Sequence, residues 1–197
     1  MPTQTKIGAA VKPSPRERLL KAATELFYAE GVQSVGIDRV IERAGVAKAS
    51  LYSTFGSKEE LVRAYLEGRH EVIMGRLRAA IDAAGDDPVE RILAVFDSQA
   101  ELYRAPTFRG CAFAMASAEA PAGGRIDLAT ESYRGDVRGL FAELAAQAGV
   151  RNPEVLASQL QMIYDGASLS VRMDRDPGVA VAQRAAAAAL VQAARAS

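Results

Sequence analysis

The sequence predicts an all-α protein with about nine helices. Three observations lead to this fold class: recurring capping residues, a run of helical apolar spacing after each cap, and the lack of a convincing two-residue alternation typical of strands. The chain has 197 residues, of which 49% are hydrophobic and 24% are charged. This composition is that of an ordinary globular protein with one or two domains.

Capping residues mark where the helices begin. Ser14, Pro15 and Glu17 combine a capping hydroxyl, a proline at the first helical position and a reciprocal acid. The same capping-box order returns at Ser57 and Glu60. An Asx-Pro start is present at three further places, namely Asp87-Pro88, Asn152-Pro153 and Asp176-Pro177.

The apolar spacing after these caps sets the expected helix lengths. Three short helices come first, and a breaker at residues 120–124 separates later ones. After the short helices we expect six further helices, at about residues 58–83, 88–103, 111–118, 126–147, 153–173 and 177–196, of which the third is shorter than the others.

Composition and charge exclude several function classes. A single cysteine, Cys111, and a single histidine, His70, leave no internal disulfide and argue against a zinc site. There is no Gly-rich phosphate loop or nucleophile motif, so we expect neither a cofactor nor enzymatic activity. No apolar run is long enough to span a membrane and the first fifteen residues lack a signal-peptide core, which predicts a cytoplasmic protein.

The formal net charge of zero hides an asymmetry along the chain. Residues 1–58 contain nine Lys or Arg and five Asp or Glu, whereas the remainder contains fifteen and nineteen. A basic N-terminal part on an acidic body is compatible with phosphate binding at one end.

Residues 31–58 show the spacing of two short helices joined by a tight turn. The first carries one apolar face, formed by Ile37, Val40, Ile41 and Ala44. Gly45 can take the positive φ that ends a helix. A second helix from about residue 47 to 54 turns Leu51 and Phe55 inward, leaving small and polar side chains outside. This is the pattern of a recognition helix for the DNA major groove.

A longer series of positions carries a more specific pattern. It comprises Phe27, Gly31, Val40, Ile41, Ala44, Gly45, Val46, Ala47, Lys48, Leu51, Tyr52, Phe55, Gly56, Ser57, Lys58, Glu59, Glu60 and Leu61. Over residues 16–66 the chain thereby resembles the DNA-binding region of TetR/AcrR-family transcriptional regulators. The composition of residues 1–15 predicts a flexible, weakly basic arm. The resemblance implies a helix-turn-helix domain at 16–60, and a ligand-binding and dimerisation domain at 61–197.

The resemblance also implies which side chains meet DNA. Candidate contacts to bases and nearby backbone are Lys48, Ala49, Ser50, Ser53 and Thr54. Tyr52 matches a tyrosine that bonds a phosphate, and Lys58 matches a lysine that meets the backbone. Gly36 departs from the family pattern, where Ser or Thr is common, so one expected phosphate contact is lacking.

Further basic residues lie near the start of the chain, in Lys6, Lys12, Arg16, Arg18 and Lys21. These side chains either are solvated at the surface or contact DNA phosphates without sequence specificity. The N-terminal arm could also lie in a minor groove.

For the C-terminal part the resemblance implies an inducer pocket and a homodimer formed through the last two helices. Candidate pocket residues, each of which could equally be core, are Phe96, Tyr103, Phe113, Met115, Tyr133, Met162 and Asp165. Such a lining suits a small, largely apolar ligand. Cys111 is either an inert buried thiol or a redox sensor.

These observations favour a repressor that a small molecule releases from a palindromic duplex DNA operator. Two alternatives stay open from the residues alone: an all-α catalyst, and a helical ligand carrier or protein-interaction module with a vestigial head.

Overall fold

A computed structural model describes residues 12–121 and 123–196. Within this part the chain forms nine α-helices and no strand, which confirms the predicted fold class. The helices are α1 (Pro15–Glu30), α2 (Ile37–Ala44), α3 (Lys48–Phe55), α4 (Lys58–Ala83), α5 (Pro88–Tyr103), α6 (Ala112–Glu119), α7 (Arg125–Gln147), α8 (Pro153–Asp174) and α9 (Val179–Ala196). The predicted arm, with Lys6, falls outside the described residues up to residue 11.

Of the two predicted capping boxes, one forms completely and the other in part. At α1 the Ser14 hydroxyl accepts a hydrogen bond from the Glu17 amide, and the Glu17 carboxylate accepts one from the Ser14 amide at 2.7 Å. At α4 the Ser57 hydroxyl accepts from the Glu60 amide at 3.1 Å. The Glu60 side chain turns instead to arginines, so the second capping box is only half formed.

Two of the Asx-Pro starts differ from the prediction. Asn152 makes no side-chain hydrogen bond to the first turn of α8, although the helix begins at Pro153 as expected. The last helix begins at Val179 rather than at residue 177, because the Asp176 carboxylate accepts from the Gly178 amide at 2.7 Å and holds a turn there. Asp87 does cap α5, accepting from the Val89 amide at 2.8 Å.

The helices pack as an N-terminal head of α1–α3 and a body of α5–α9, joined by α4. In the body, α8 packs between α7 and α9, and α4 packs on α5 and α7. One continuous buried core runs from head to body, and the edge-on rings of Phe27 and Tyr65, 5.7 Å apart, lie where α1 meets α4. The head is therefore mechanically linked to the body through α4.

In the parts of the chain that the structure describes, no helix is both long and apolar enough to cross a membrane.

Candidate DNA-binding interface

The turn between α2 and α3 is held by backbone conformation and by one side chain of α1. Gly45 adopts the left-handed conformation with φ 61°, as predicted from the sequence. The Arg18 guanidinium donates to the Gly45 carbonyl at 2.9 Å, which ties the turn to α1. These contacts set the angle between α2 and α3 in the chain without DNA.

Ion pairs fasten α2 to α1. Arg39 donates to both carboxylate oxygens of Glu30, one of them at 2.8 Å, and Arg43 bonds Glu25 at 2.8 Å. These pairs are exposed, so their direct contribution to stability is small. They nevertheless orient α2 on the surface of α1.

The helix α3 has one buried side chain and a broad exposed face. Leu51 is completely buried in the core, and Phe55 is half-buried against it. Lys48, Ala49, Tyr52, Ser53 and Thr54 are exposed, and Ser50 and Lys58 are half-buried. The first four of these follow the spacing i, i+1, i+4, i+5 and so share one side of the helix.

Two hydroxyls on this helix already donate to the helix backbone. Ser53 donates to the Ser50 carbonyl at 3.2 Å, and Thr54 donates to the same oxygen at 2.6 Å. Each oxygen keeps its lone pairs for accepting a hydrogen bond from outside.

Lys48, at the start of α3, has a protein partner. Its ammonium bonds the Asp38 carboxylate on α2 at 2.9 Å, and this hydrogen bond raises the pKa of Lys48. The sequence analysis names Lys48 as a candidate DNA contact, and in the free protein its partner is Asp38.

Gly36 is the N-cap of α2 and leaves the cap without a side-chain hydrogen bond. Its backbone is ordinary extended chain, and an added Cβ would meet no atom of the described residues within 4 Å. The missing hydroxyl is therefore a property of this residue and not a steric requirement of the fold.

The basic residues of α1 take different positions. The Arg16 guanidinium stacks over the Phe55 ring at 5.6 Å, and Arg18 is committed to the turn. Lys12 and Lys21 are exposed.

A cavity of about 280 Å³ lies between α6, α7 and α8, and we call it the body cavity. Three predicted pocket residues line it, namely Phe113, Tyr133 and Asp165. The rings of Phe113 and Tyr133 stack at 4.0 Å, and Arg134 forms an ion pair with Asp165 at the wall. Burial raises the pKa of Asp165, while the adjacent Arg134 guanidinium opposes that shift.

Cys111 also lines the body cavity, as the N-cap residue of α6. Burial raises the pKa of its thiol, which keeps it protonated at neutral pH. A protonated thiol reacts slowly, so these surroundings favour an inert buried thiol over a redox sensor.

The other predicted pocket residues lie elsewhere. Tyr103 and Met115 line a larger cleft of about 710 Å³ beside the end of α1, which we call the junction cleft. Phe96 is in the core, stacked on Phe141 at 5.5 Å. Met162 is 65% exposed on α8 and lines neither cavity.

A set of contacts between head and body has no counterpart in the sequence analysis. The Tyr28 hydroxyl of α1 accepts from the Arg109 amide at 3.0 Å and donates to the Gly110 carbonyl at 3.2 Å. The Glu119 carboxylate, at the end of α6, accepts from the Gln33 amide at 2.8 Å. These partners are more than 80 residues apart in the chain, so no local pattern could have revealed them. We call these three hydrogen bonds, two at Tyr28 and one at Glu119, the latch.

Comparison with known proteins agrees with this architecture. Residues 19–65 match the family model described as bacterial regulatory proteins, tetR family. A solved structure of a TetR-family transcriptional regulator from Streptomyces coelicolor superposes with a TM-score of 0.86 and 33% identity, covering 92% of this chain and 96% of that chain.

Curated relatives match over only part of the chain. The HTH-type transcriptional activator FasR of Mycolicibacterium smegmatis is 38% identical over 72 residues, which is 36% of this chain and 33% of that protein. The HTH-type transcriptional repressor KstR2 of Mycobacterium tuberculosis is 32% identical over 83 residues, 42% of this chain and 41% of that protein. The chain thus spans well under half the length of these two relatives.

Proposed function

The chain belongs to the TetR family of DNA-binding transcriptional regulators, a non-enzymatic family, and we propose that it is a dimeric repressor released from a palindromic operator by a small ligand. The observation that carries the DNA-binding part is the exposed face of α3, mounted on a rigid head by one buried leucine. Catalysis is excluded by the family, which removes one of the alternatives drawn from the sequence.

In this proposal α3 lies in the major groove and its outer side chains approach base edges. Lys48 donates to a guanine edge, the common pairing for a basic side chain in this groove. Ser53 and Thr54, whose protons are committed to the Ser50 carbonyl, accept from the exocyclic amines of adenine or cytosine. Ala49 is small enough to let the helix approach and can contact a thymine methyl group.

Tyr52 and Lys58 serve as the phosphate contacts. The Tyr52 ring is 48% exposed beside buried Leu51, so its hydroxyl can reach the DNA backbone without disturbing the core. Lys58 begins α4, where backbone amides and a cation lie together and favour a phosphate. These contacts fix the register of the head on the duplex.

Lys48 exchanges one partner for another on binding. Its ion pair with Asp38 is exposed on both sides and is therefore easily broken. DNA supplies a stronger field of negative charge, while Asp38 is left near phosphates. Asp38 thus weakens binding to every sequence, which leaves more of the affinity to base-specific contacts.

The dimer in this proposal forms through α8 and α9. Four exposed apolar residues follow one stripe along α8, namely Val155, Met162, Leu169 and Met173. Their spacing of seven, seven and four residues is that of a helix–helix seam. Two-fold symmetry would place the two α3 helices about 34–36 Å apart, so the operator would be an approximate palindrome.

Ligand release is proposed to act from the body cavity on the head. The α6 helix that walls this cavity also carries Glu119 of the latch, and α4 joins the head to the same body. A ligand that fits only one arrangement of α6 would shift the population toward a head spacing that no longer matches the operator.

The test begins with selection of bound sequences from random duplex DNA, followed by fluorescence anisotropy at several salt concentrations. Lys58→Gln should weaken operator binding and reduce the slope of log affinity against log salt by about one for each protomer. Tyr52→Phe should weaken binding by about 1.5–3 kcal/mol, at least roughly tenfold, because the hydroxyl donates to a charged phosphate. The salt slope should be unchanged, because tyrosine carries no charge and neutralises no phosphate.

Arg151→Gln is the matched control, since it removes one exposed charge from the connection between α7 and α8. Its affinity and salt slope should equal those of the original chain. If no DNA sequence is enriched at low salt, the result contradicts the regulator proposal and favours a helical ligand carrier. If both variants bind like the original, Lys58 and Tyr52 are not phosphate contacts.

A further inference from the structure

The junction cleft is bounded by four parts of the fold that meet where the head joins the body. These are the end of α1, the connection between α5 and α6, α6 itself, and the end of α8 with the residues that follow it. Its volume of about 710 Å³ is within the usual range for small-molecule sites, about 300–1,000 Å³.

Three arginines line this cleft without carboxylate partners. Arg109 donates to the Pro106 and Phe108 carbonyls, and Arg172 donates to the Arg109 carbonyl at 2.6 Å. Among the described residues, none of Arg109, Arg172 and Arg175 forms an ion pair. Several guanidinium donors at the cleft therefore remain open.

The acidic residues of the cleft are already occupied. Glu30 is held by Arg39 of α2, and the Glu119 carboxylate accepts the Gln33 amide. Three arginines against two engaged glutamates leave the cleft with an uncompensated positive charge.

One of the arginines stands in an unusual backbone conformation. Arg175, after the last turn of α8, has φ 55° and ψ 28°, the one non-glycine residue with positive φ in the described chain. Glycine or asparagine is the common choice at such a helix end. At this position the chain instead has a long cationic side chain, and Arg175 lines the cleft.

The remaining wall is apolar and aromatic. The rings of Tyr103 and Phe108 meet edge to face at 5.1 Å, and Val171 is buried beside them. Pro106 and Pro177 complete this side of the cleft. The site thus has a cationic rim next to an apolar surface.

We propose that the junction cleft binds a small amphipathic organic carboxylate. The guanidinium groups of Arg172 and Arg175 hold the carboxylate, since their planar donor pairs match its two oxygens. The apolar part of the ligand packs on Tyr103 and Phe108. This site is separate from the body cavity and so goes beyond the proposed function.

The experiment is isothermal titration of the full chain, without DNA, using naphthoate and its uncharged equivalent naphthamide. Naphthoate should bind saturably with one molecule per chain, and naphthamide at least tenfold more weakly. Absence of naphthoate binding, equal affinity of the two probes, or competition by inorganic phosphate as effective as by naphthoate would each overturn the proposal.

Two variants locate the site by independent means. Arg175→Asn removes the guanidinium at a backbone conformation that asparagine tolerates, and should weaken naphthoate binding at least fivefold. Ala29→Glu adds a negative charge at an exposed helical position that lines the cleft, and should weaken it similarly.

Arg151→Gln, outside the cleft, should leave naphthoate affinity unchanged. If naphthoate binds but Arg175→Asn and Ala29→Glu both bind it like the original chain, the ligand sits elsewhere and the assignment fails. Because no DNA is present, this outcome does not depend on whether the regulator proposal holds.

Discussion

Adjacent residues on α3 have opposite tasks, and this division defines the DNA-facing surface. Leu51 is completely buried, whereas Tyr52 beside it is 48% exposed. Removing the Leu51 side chain would empty part of the core under the recognition helix, at a cost of about 2–5 kcal/mol. Side chains on the outer face contribute little to the core, so they can differ between regulators that bind different operators without this loss of stability.

Gly36 offers a sharp test at the same scale. Gly36→Ser should stabilise the head by a few tenths of a kcal/mol, because a serine hydroxyl can cap α2 where glycine makes no side-chain bond. The added Cβ meets no described atom within 4 Å. Urea unfolding measures the stability, and operator affinity should rise if the hydroxyl also reaches a phosphate.

Gly36→Ala is the control for this substitution. It adds the same Cβ without a hydroxyl, so it should be less stable than the serine variant by about 0.5–2 kcal/mol. Equal stability of the two would mean that the hydroxyl forms no cap.

At the scale of elements, α4 begins in the head and ends in the body, and its first turn is anchored to two neighbours. The Glu60 carboxylate bonds Arg63 at 2.8 Å on the same helix and Arg125 at 2.7 Å on α7. These arginines lower the pKa of Glu60, its hydrogen bond with Arg63 having the largest effect. The start of α4 is thus fixed to α7 by charge.

The pH dependence of stability should expose this anchor. Because the pKa of Glu60 is lowered in the folded chain, its contribution is present above the ordinary pKa of about 4.5 and is lost as the pH falls through the folded value. Glu60→Gln should therefore be less stable than the original at neutral pH, and the difference should vanish in acid.

Urea unfolding at stepped pH values between neutral and acid measures that difference. Glu71→Gln, at an exposed position on the same helix, should show a much smaller one. A gap between Glu60→Gln and the original that stays constant with pH would contradict the assignment.

At the scale of the whole molecule, the latch joins the end of α1 and the residues after it to the α5–α6 connection and the end of α6. Tyr28→Phe should destabilise the chain by about 1 kcal/mol, since the Arg109 amide and the Gly110 carbonyl lose their bonds to the hydroxyl. The ring, which lies 4.6 Å from the Arg69 guanidinium, is retained. Hydrogen exchange of the Arg109 amide should become faster.

Tyr52→Phe provides the comparison, because it makes the same chemical change at an exposed hydroxyl. Its unfolding free energy and the exchange of Arg109 should be unaffected. If Tyr28→Phe behaves in the same way, the latch contributes nothing to the link.

The exposed stripe on α8 predicts the assembly. Met162→Lys combined with Leu169→Lys should convert a dimer to a monomer in light scattering after gel filtration, because charges would be buried in an apolar seam. Val72→Lys changes an equally exposed apolar residue on α4 and should leave the dimer intact. A double variant that remains dimeric would place the interface elsewhere.

The fold was largely predictable because its signals are local. The capping box at Ser14, the left-handed Gly45 and the spacing around Leu51 each act within a few residues, and all three formed as expected. The predicted caps and helix starts differed from the structure where a side chain bonds another partner. Glu60 left its cap for Arg125, and Asp176 held a turn that delayed α9.

By itself, the sequence determined the all-α class, the helix-turn-helix and the family, because caps, turns and apolar spacing depend on neighbours in the chain. The partner of Lys48 and the latch at Tyr28 were decided only by the tertiary structure. So were the separation of the predicted pocket residues and the exposure of Met162. In the sequence, an aromatic or methionine side chain has the same pattern whether it lies in the core, in a cavity or at an interface. Its place is decided by packing, and packing brings together residues that are far apart in the chain.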